Sequence, residues 1–219
     1  MATGAGCGSG STVAVVSGGL DSIVMAHLLA SRGTAMTVIS FDYGQRHDRE
    51  LAFAVRAAHH LDARHHLVDL SALASVLTGS ALTDRTIDVP DGHYRDESMR
   101  VTVVPNRNAI FLSVATGLAV AIGADTVAIA VHAGDHPIYP DCRPAFITAF
   151  EQQARLANEG FAHPDLRIEA PFLASTKADI VRVGAELGVD LAATWSCYRG
   201  GDRHCGTCGT CVERREAFR

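Results

Sequence analysis

Four of the six cysteines in this 219-residue chain crowd its C-terminal end: Cys197, Cys205, Cys208 and Cys211, in the spacing C-x7-C-x2-C-x2-C. Four thiolates complete a tetrahedral Zn2+ shell with no open position, which is how a structural zinc is held. Gly206 and Gly209 ease the two tight CxxC steps, and His204 offers a substitute ligand. An iron–sulfur cluster accepts four thiolates as well, and a single CxxC pair also serves redox or sulfur-carrier chemistry. Clustering, in a chain with its own core, favours metal binding in a reducing compartment over a disulfide framework. Cys7 lies in a Gly/Ser-rich lead-in, and Cys142 in a polar loop as either a buried structural thiol or part of a pocket.

A second string with chemical potential lies near the N-terminus: Ser17-Gly18-Gly19-Leu20-Asp21-Ser22. Two glycines let a backbone curl around an anion, and the amides opening the next helix point at it. Ser17 and Ser22 add hydroxyls. Asp21 repels a phosphate, so it suits holding Mg2+ or fixing the loop. The string has neither the GxxxxGK[ST] nor the GxGxxG spacing, which argues against a Walker loop and a dinucleotide site. The bland alternative is a tight turn capped by Asp21 or Ser22.

The 19 Lys+Arg residues include a single lysine, Lys177. An ammonium is a compact point charge that meets phosphate where the wide arginine fork does not fit; the alternative is chance retention on a solvated helix start. The formal charge of −5 disfavours a dedicated nucleic-acid binder, and 47% hydrophobic residues exclude disorder as the main state. The chain carries no apolar run of membrane-span length and no secretory signature, so the expected location is cytoplasmic.

These residues need a scaffold. Short β-branched runs at 12–16, 36–41, 66–70, 126–131 and 167–170 read as strands. Helical spacing covers 21–31, 48–61, 106–122, 144–158 and 176–187, with a last short helix after Cys211. Fivefold alternation predicts an α/β fold with a five-stranded parallel, doubly wound sheet. The expected division is a lead-in at 1–11, a core domain at 12–193 and a zinc-binding tail at 194–219 packed on that domain. Residues 79–104 read as a long functional loop. The pairs His59-His60 and His65-His66 read as solvated surface. Ligands of such sheets bind beyond the carboxyl ends of the strands, which here are Ser17-Gly18-Gly19, Asp42-Tyr43-Gly44 and the segment 132–135.

SGGLDS resembles the pyrophosphatase loop of adenylating ATP enzymes, the group of GMP synthetase, asparagine synthetase and the tRNA-thiolating enzymes. That resemblance implies an adenine nucleotide alpha hydrolase-like, Rossmann-like fold and ATP cleavage between the α- and β-phosphates. Five further strings narrow it: Phe41-Asp42-Tyr43-Gly44-Gln45-Arg46-His47 with Glu50, Val104-Pro105-Asn106-Arg107-Asn108, Tyr139-Pro140-Asp141-Cys142-Arg143-Pro144 with Phe146, Thr194-Trp195-Ser196-Cys197-Tyr198, and the cysteine cluster. Together, over residues 13–218, they resemble the 7-cyano-7-deazaguanine synthase family, with one departure at Ile138, where a glycine is usual. The family implies an ATP-dependent ligase that turns 7-carboxy-7-deazaguanine and ammonia into the nitrile through an adenylated acid and an amide, for queuosine or deazapurine synthesis. It also implies ATP, Mg2+ and one Zn2+ per chain, a homodimer, and no nucleic-acid or membrane partner; free ammonia is the simplest nitrogen source.

Carried onto this sequence, ATP falls to Val16, Ser17, Gly18, Gly19, Leu20, Asp21, Ser22, Ile23, Val24, Met25 and Ala26. Asp21, Arg107, Asp135 and Lys177 are the expected catalytic residues, and Arg46, Asn106, Asn108, Tyr139, Asp141 and Arg143 the expected substrate contacts. Asn106 serves equally as a helix N-cap, and the aspartates and Arg143 as loop salt bridges. Two other functions compete. A tRNA-thiolating adenylating enzyme needs a basic surface, whereas residues 199–219 hold five arginines against Asp202, Glu213 and Glu216. A zinc-ribbon interaction module on an inactive scaffold conflicts with the complete ATP loop.

Overall fold

The computed structural model describes residues 10–94 and 97–219. Nine residues of the expected lead-in, with Cys7, lie outside the described residues, as do residues 95 and 96 of the long loop.

Strand β1 (Ser11–Val15) alternates its side chains between two layers. Val13 and Val15 face one core with helix α3 (Arg107–Ile122), whereas Ala14 and the following Val16 face another with α1 (Leu20–Ser31), α2 (Glu50–His60) and α5 (Lys177–Glu186). A strand apolar on both faces belongs in the centre of a covered parallel sheet. Its neighbours are β2 (Ala35–Asp42) and β4 (Thr126–Ala128), with β3 (Arg64–Asp69) and β5 (Arg167–Glu169) at the edges. The order is β3-β2-β1-β4-β5 and every pairing is parallel, as expected for the doubly wound fold. The chain winds outward through β3, then returns to β4 on the other side of β1. The order therefore reverses beside β1, and a crevice opens at its carboxyl end.

Three boundaries differ in instructive ways. The fourth strand stops at Ala128, three residues before the apolar run ends, because its partner β5 is only three residues long. Helix α6 (Gly209–Ala217) starts before Cys211, so two cysteines of the cluster sit at and inside a helix N-terminus. Within 79–104, Ala81, Leu82, Met99 and Thr102 are fully buried and a 3-10 helix spans Glu97–Thr102, so this polar stretch is an integral wall. Helix α4 (Pro144–Ala157) completes the cover over β5. Of the surface histidines, His59 and His60 are exposed, but His65 Nε2 meets the Ser40 hydroxyl at 2.9 Å. Among the described residues no helix is long and apolar enough to cross a membrane.

Candidate active site

The crevice is built from the loop after β1 outward. Gly18 has φ 97°, a left-handed conformation, and a Cβ there would lie 1.9 Å from the carbonyl oxygen of Glu50. Only glycine allows α2 to press against this loop. The Gly18 carbonyl accepts the Trp195 amide at 3.0 Å, tying the tail to the same turn. Ser17 and Ser22 hydroxyls lie 3.2 Å apart, and Ser22 donates to the Gly19 carbonyl at 3.0 Å. The first backbone bond of α1 runs from Ile23 N–H to the Gly19 carbonyl at 3.1 Å, so the Leu20, Asp21 and Ser22 amides have no partner within the helix, while the Ser17 and Gly19 amides donate to the Ser22 and Ser17 hydroxyls at 3.2 Å each. Gly19 occupies the N-cap without a side-chain cap, so neither Asp21 nor Ser22 caps the helix in the way the bland reading requires. Ser17, Gly19, Leu20, Asp21 and Ser22 line the crevice, while Val16, Ile23, Val24, Met25 and Ala26 are buried in the core beneath it.

Lys177 enters from the start of α5, where Thr176 and Asp179 form a reciprocal capping box. Its ammonium meets Asp21 Oδ2 at 2.5 Å and lies 3.4 Å from Glu213 Oε2, outside good hydrogen-bond geometry for the latter. Burial alone would raise the Asp21 carboxyl; Lys177, then His132, outweigh it and hold it below the ordinary range. For Lys177, burial pulls the other way and loses to Asp21 and Glu213, so the ammonium stays protonated. His132 Nδ1 accepts the Gly134 amide at 3.0 Å, and its Nε2 lies 3.3 Å from the Lys177 ammonium. That Nε2 lies 3.5 Å from Asp135 Oδ1, and Asp135 also accepts the His132 amide at 2.9 Å and the Tyr94 hydroxyl at 3.0 Å.

The facing wall is aromatic. Tyr43, Tyr94, Tyr139, Tyr198 and Phe111 line it together with Arg107, whose guanidinium lies 5.9 Å from the Tyr43 ring centre. Tyr139 shares a 2.7 Å hydrogen bond with Thr102. Burial pushes the Tyr43 phenol up to about 12. Glu50 and His47 complete this wall, with His47 Nε2 at 3.4 Å from Glu50 Oε1. Burial pushes the Glu50 carboxyl up to about 8, against the opposing pull of Arg107, and drives the His47 ring down to about 3. Asn108 lies at the floor, its amide bonded to Asp141 Oδ2 at 3.0 Å and its side chain to Cys142 Sγ at 3.3 Å. Cys142 is buried, and that burial raises its thiol, so it packs as a neutral group.

The expected residues thus divide. Asp21, Lys177, Asp135, Arg107, Asn108 and Tyr139 converge on one crevice, with Asp141 behind Asn108. Arg46 instead donates to the carbonyls of Asp84 and Ile87 at 2.7 and 2.8 Å, fastening the long loop. Arg143 is exposed and donates to the His136 carbonyl at 2.8 Å. Asn106 is exposed in a left-handed conformation at the N-cap of α3, with no capping bond from its side chain. The structure adds His132, Glu213, Tyr94 and Glu50 to the residues around the site that the sequence assigns. His132 follows the end of the fourth apolar run, the position where ligands gather; Tyr94 and Glu213 had no such marker.

The four cysteine sulfurs lie within 4.8 Å of one another. Zinc–sulfur bonds of about 2.3 Å in a tetrahedron require sulfurs about 3.8 Å apart, and Cys205 and Cys211 are 3.8 Å apart. The amides of Cys205 and Cys208 point at the sulfurs of Cys197 and Cys205 at 3.4 and 3.3 Å, the donation that thiolates need. This cage closes a small core with Trp195, Val89 and Ala81. Arg214 of α6 donates to Thr194 and Ser196 at 2.7 and 3.1 Å, and Glu213, one residue earlier, reaches Lys177.

Comparison with known proteins decides which family builds this crevice. Residues 11–219 match the family model described as queuosine biosynthesis protein QueC. The chain belongs to the QueC family. A 7-cyano-7-deazaguanine synthase of Paracoccus denitrificans (strain Pd 1222) is 58% identical over 94% of this chain and 88% of its own length. The QueC relative from Rhizobium rhizogenes (strain K84 / ATCC BAA-868), with the same name, is 56% identical over 94% of this chain and 86% of its own. Among solved structures, an NMN synthetase from Francisella tularensis shares the fold, with a TM-score of 0.52 at 14% identity over 91% of this chain and 71% of that one.

Proposed function

We propose that this chain is an ATP-dependent ligase converting 7-carboxy-7-deazaguanine and ammonia to 7-cyano-7-deazaguanine in queuosine synthesis. The observation that carries it is the pairing, in one crevice of a QueC-family chain, of an open-amide loop with Lys177 and an aromatic, arginine-bearing wall. The tRNA-thiolating alternative is less supported, because the net charge of −5 provides no field for a polyanion.

A carboxylate is a poor electrophile. Attack of its oxygen on the α-phosphorus of ATP forms an acyl adenylate and expels pyrophosphate. Ammonia then displaces AMP, which carries away the first oxygen, and leaves the amide. A second adenylation on the amide oxygen, and loss of AMP with the nitrogen protons, gives the nitrile. The loop amides and Lys177 suit the phosphates. The tyrosine rings suit a flat heterocycle, and Arg107 suits the charge where carboxylate and α-phosphate meet.

Magnesium, when bound, neutralises charge on the phosphates; Asp21 Oδ1, buried with no partner, is the chain's suitable ligand for it. The cysteine cage suits Zn2+ in a closed, structural role. Free ammonia, a homodimer and a cytoplasmic location complete the reading. The test is to incubate the pure protein with ATP, Mg2+, ammonium and the carboxylic acid and to measure nitrile by mass alongside AMP and pyrophosphate. Absence of acid-dependent pyrophosphate and nitrile defeats the proposal, and elemental analysis separates zinc from iron.

A further inference from the structure

Three carboxyl groups line the crevice, and two of them are committed. Asp21 is paired with Lys177 at 2.5 Å, and Asp135 holds the His132 amide and the Tyr94 hydroxyl. Glu50 differs. Its side chain is 10% exposed, and its contacts are long: Gln45 Nε2 at 3.5 Å and His47 Nε2 at 3.4 Å. Neither partner is a fixed cation. A buried carboxyl without one is costly, so its retention at a crevice wall points to use. Its place is also rigid, because the first turn of α2 is wedged against Gly18 of the phosphate loop.

The reaction of the preceding section lacks one component. Ammonia attack puts positive charge on nitrogen, and nitrile formation strips that nitrogen of its remaining protons. Both events need a base beside the adenylated carbon. We propose that Glu50 is the general base for the nitrogen, a role that rests on the ligase reading above.

In the first round, the nitrogen lone pair bonds to the acyl carbon and the C–O bond to AMP breaks. One N–H proton passes to the Glu50 carboxylate, leaving amide and a Glu50 acid that returns its proton to water. In the second round, the adenylated amide first loses one N–H proton to water. Glu50 then takes the last one, its N–H electron pair becoming the third C–N bond as AMP departs.

The other groups fit this task less well. His47 is held neutral but weakly basic, with its ring near 3 through burial and the charges of Arg107 and Arg46. Tyr43 is held near 12, and Lys177 is a committed ammonium. Glu50 titrates near 8, facing Arg107 from α3, Tyr43 from the end of β2, and His47 and Asp48 from its own approach. A base works best when its pKa lies close to the operating pH.

The test compares Glu50→Gln with the parent protein in three assays. Acid-dependent exchange of pyrophosphate into ATP, run without ammonia, should stay within about threefold, because no nitrogen is involved. Nitrile formation should fall at least about a hundredfold. Hydroxylamine, whose adduct is acidic enough to lose its proton to water, should still trap the adenylate as hydroxamate within about tenfold of the parent rate. Nitrile formation close to the parent rate, or a loss of exchange as deep as the loss of nitrile, overturns the proposal. Failure of exchange in the parent protein instead overturns the ligase reading. Should Glu50→Gln not fold, single-turnover conversion of the amide to the nitrile by the parent protein, which needs no ammonia, should rise with pH through a limb near 8. A flat profile overturns the role.

Discussion

Asp21 and Glu50 are carboxyl groups on two walls of one crevice, and the protein moves them in opposite directions. Burial opposes the charge on both. At Asp21 the Lys177 ammonium sits at contact distance and wins, holding the group ionised. At Glu50 the charge of Arg107 also favours ionisation, but burial wins and pushes the carboxyl up to about 8. The difference lies in what stands beside each group. One wall is a fixed charge pair suited to phosphates, and the other keeps a carboxyl able to gain and lose a proton.

Removing the shared scaffold should erase the contrast altogether. In Gly18→Ala the new methyl collides with the Glu50 carbonyl, 1.9 Å away. We expect a loss of about 3 kcal/mol or more of stability and no measurable turnover, read by thermal melting and product assay. Next, Lys177→Arg keeps the charge but widens the head group. Turnover with ATP should fall about a hundredfold or more, and unchanged turnover would sink the phosphate role of Lys177.

A titration of stability sharpens the comparison with less damage. The Asp21 carboxyl is held below its unfolded value, so its contribution is fully present above about pH 4 and is lost as the pH falls through its folded value. Glu50 is raised, so its contribution is present below about pH 4.5 and is lost as the pH climbs through about 8. Denaturant unfolding of Glu50→Gln should therefore show it gaining on the parent protein between pH 5 and pH 9 (about 4 kcal/mol at most), with equal pH slopes as the contrary result. The smallest effect should come from chelation. Trp195, the one tryptophan, stacks on His204 at 4.5 Å and donates to the Cys197 carbonyl at 2.9 Å. Stripping the metal should red-shift its emission, and about one equivalent of zinc should restore it.

How much of this the sequence makes legible depends on the separation of the residues along the chain. The SGGLDS loop and the cysteine cage are local strings, readable because strand, glycines and helix start, or four thiols, follow one another directly. The parallel sheet was readable from its alternation of apolar runs. Lys177 stood out only because arginine fills every other basic position. Tyr94 and Glu213 could not be read, since one lies in a polar stretch and the other on a charged helix, and only the packing of tail and loop against the sheet brings them to Asp135 and Lys177. Arg46 and Arg143 illustrate the converse: charges within a telling string that face loop carbonyls. Neighbouring letters do not reveal which way a side chain turns.

A chain with one ε-amine has a consequence for labelling. Any amine-directed acylating reagent has a single lysine target, with its side chain 13% exposed and clasped by Asp21 beside the loop after β1. Asp21 and Glu213 keep that amine protonated and unreactive, so its acylation, located by peptide mass apart from the α-amine, reports how often the pair with Asp21 comes open.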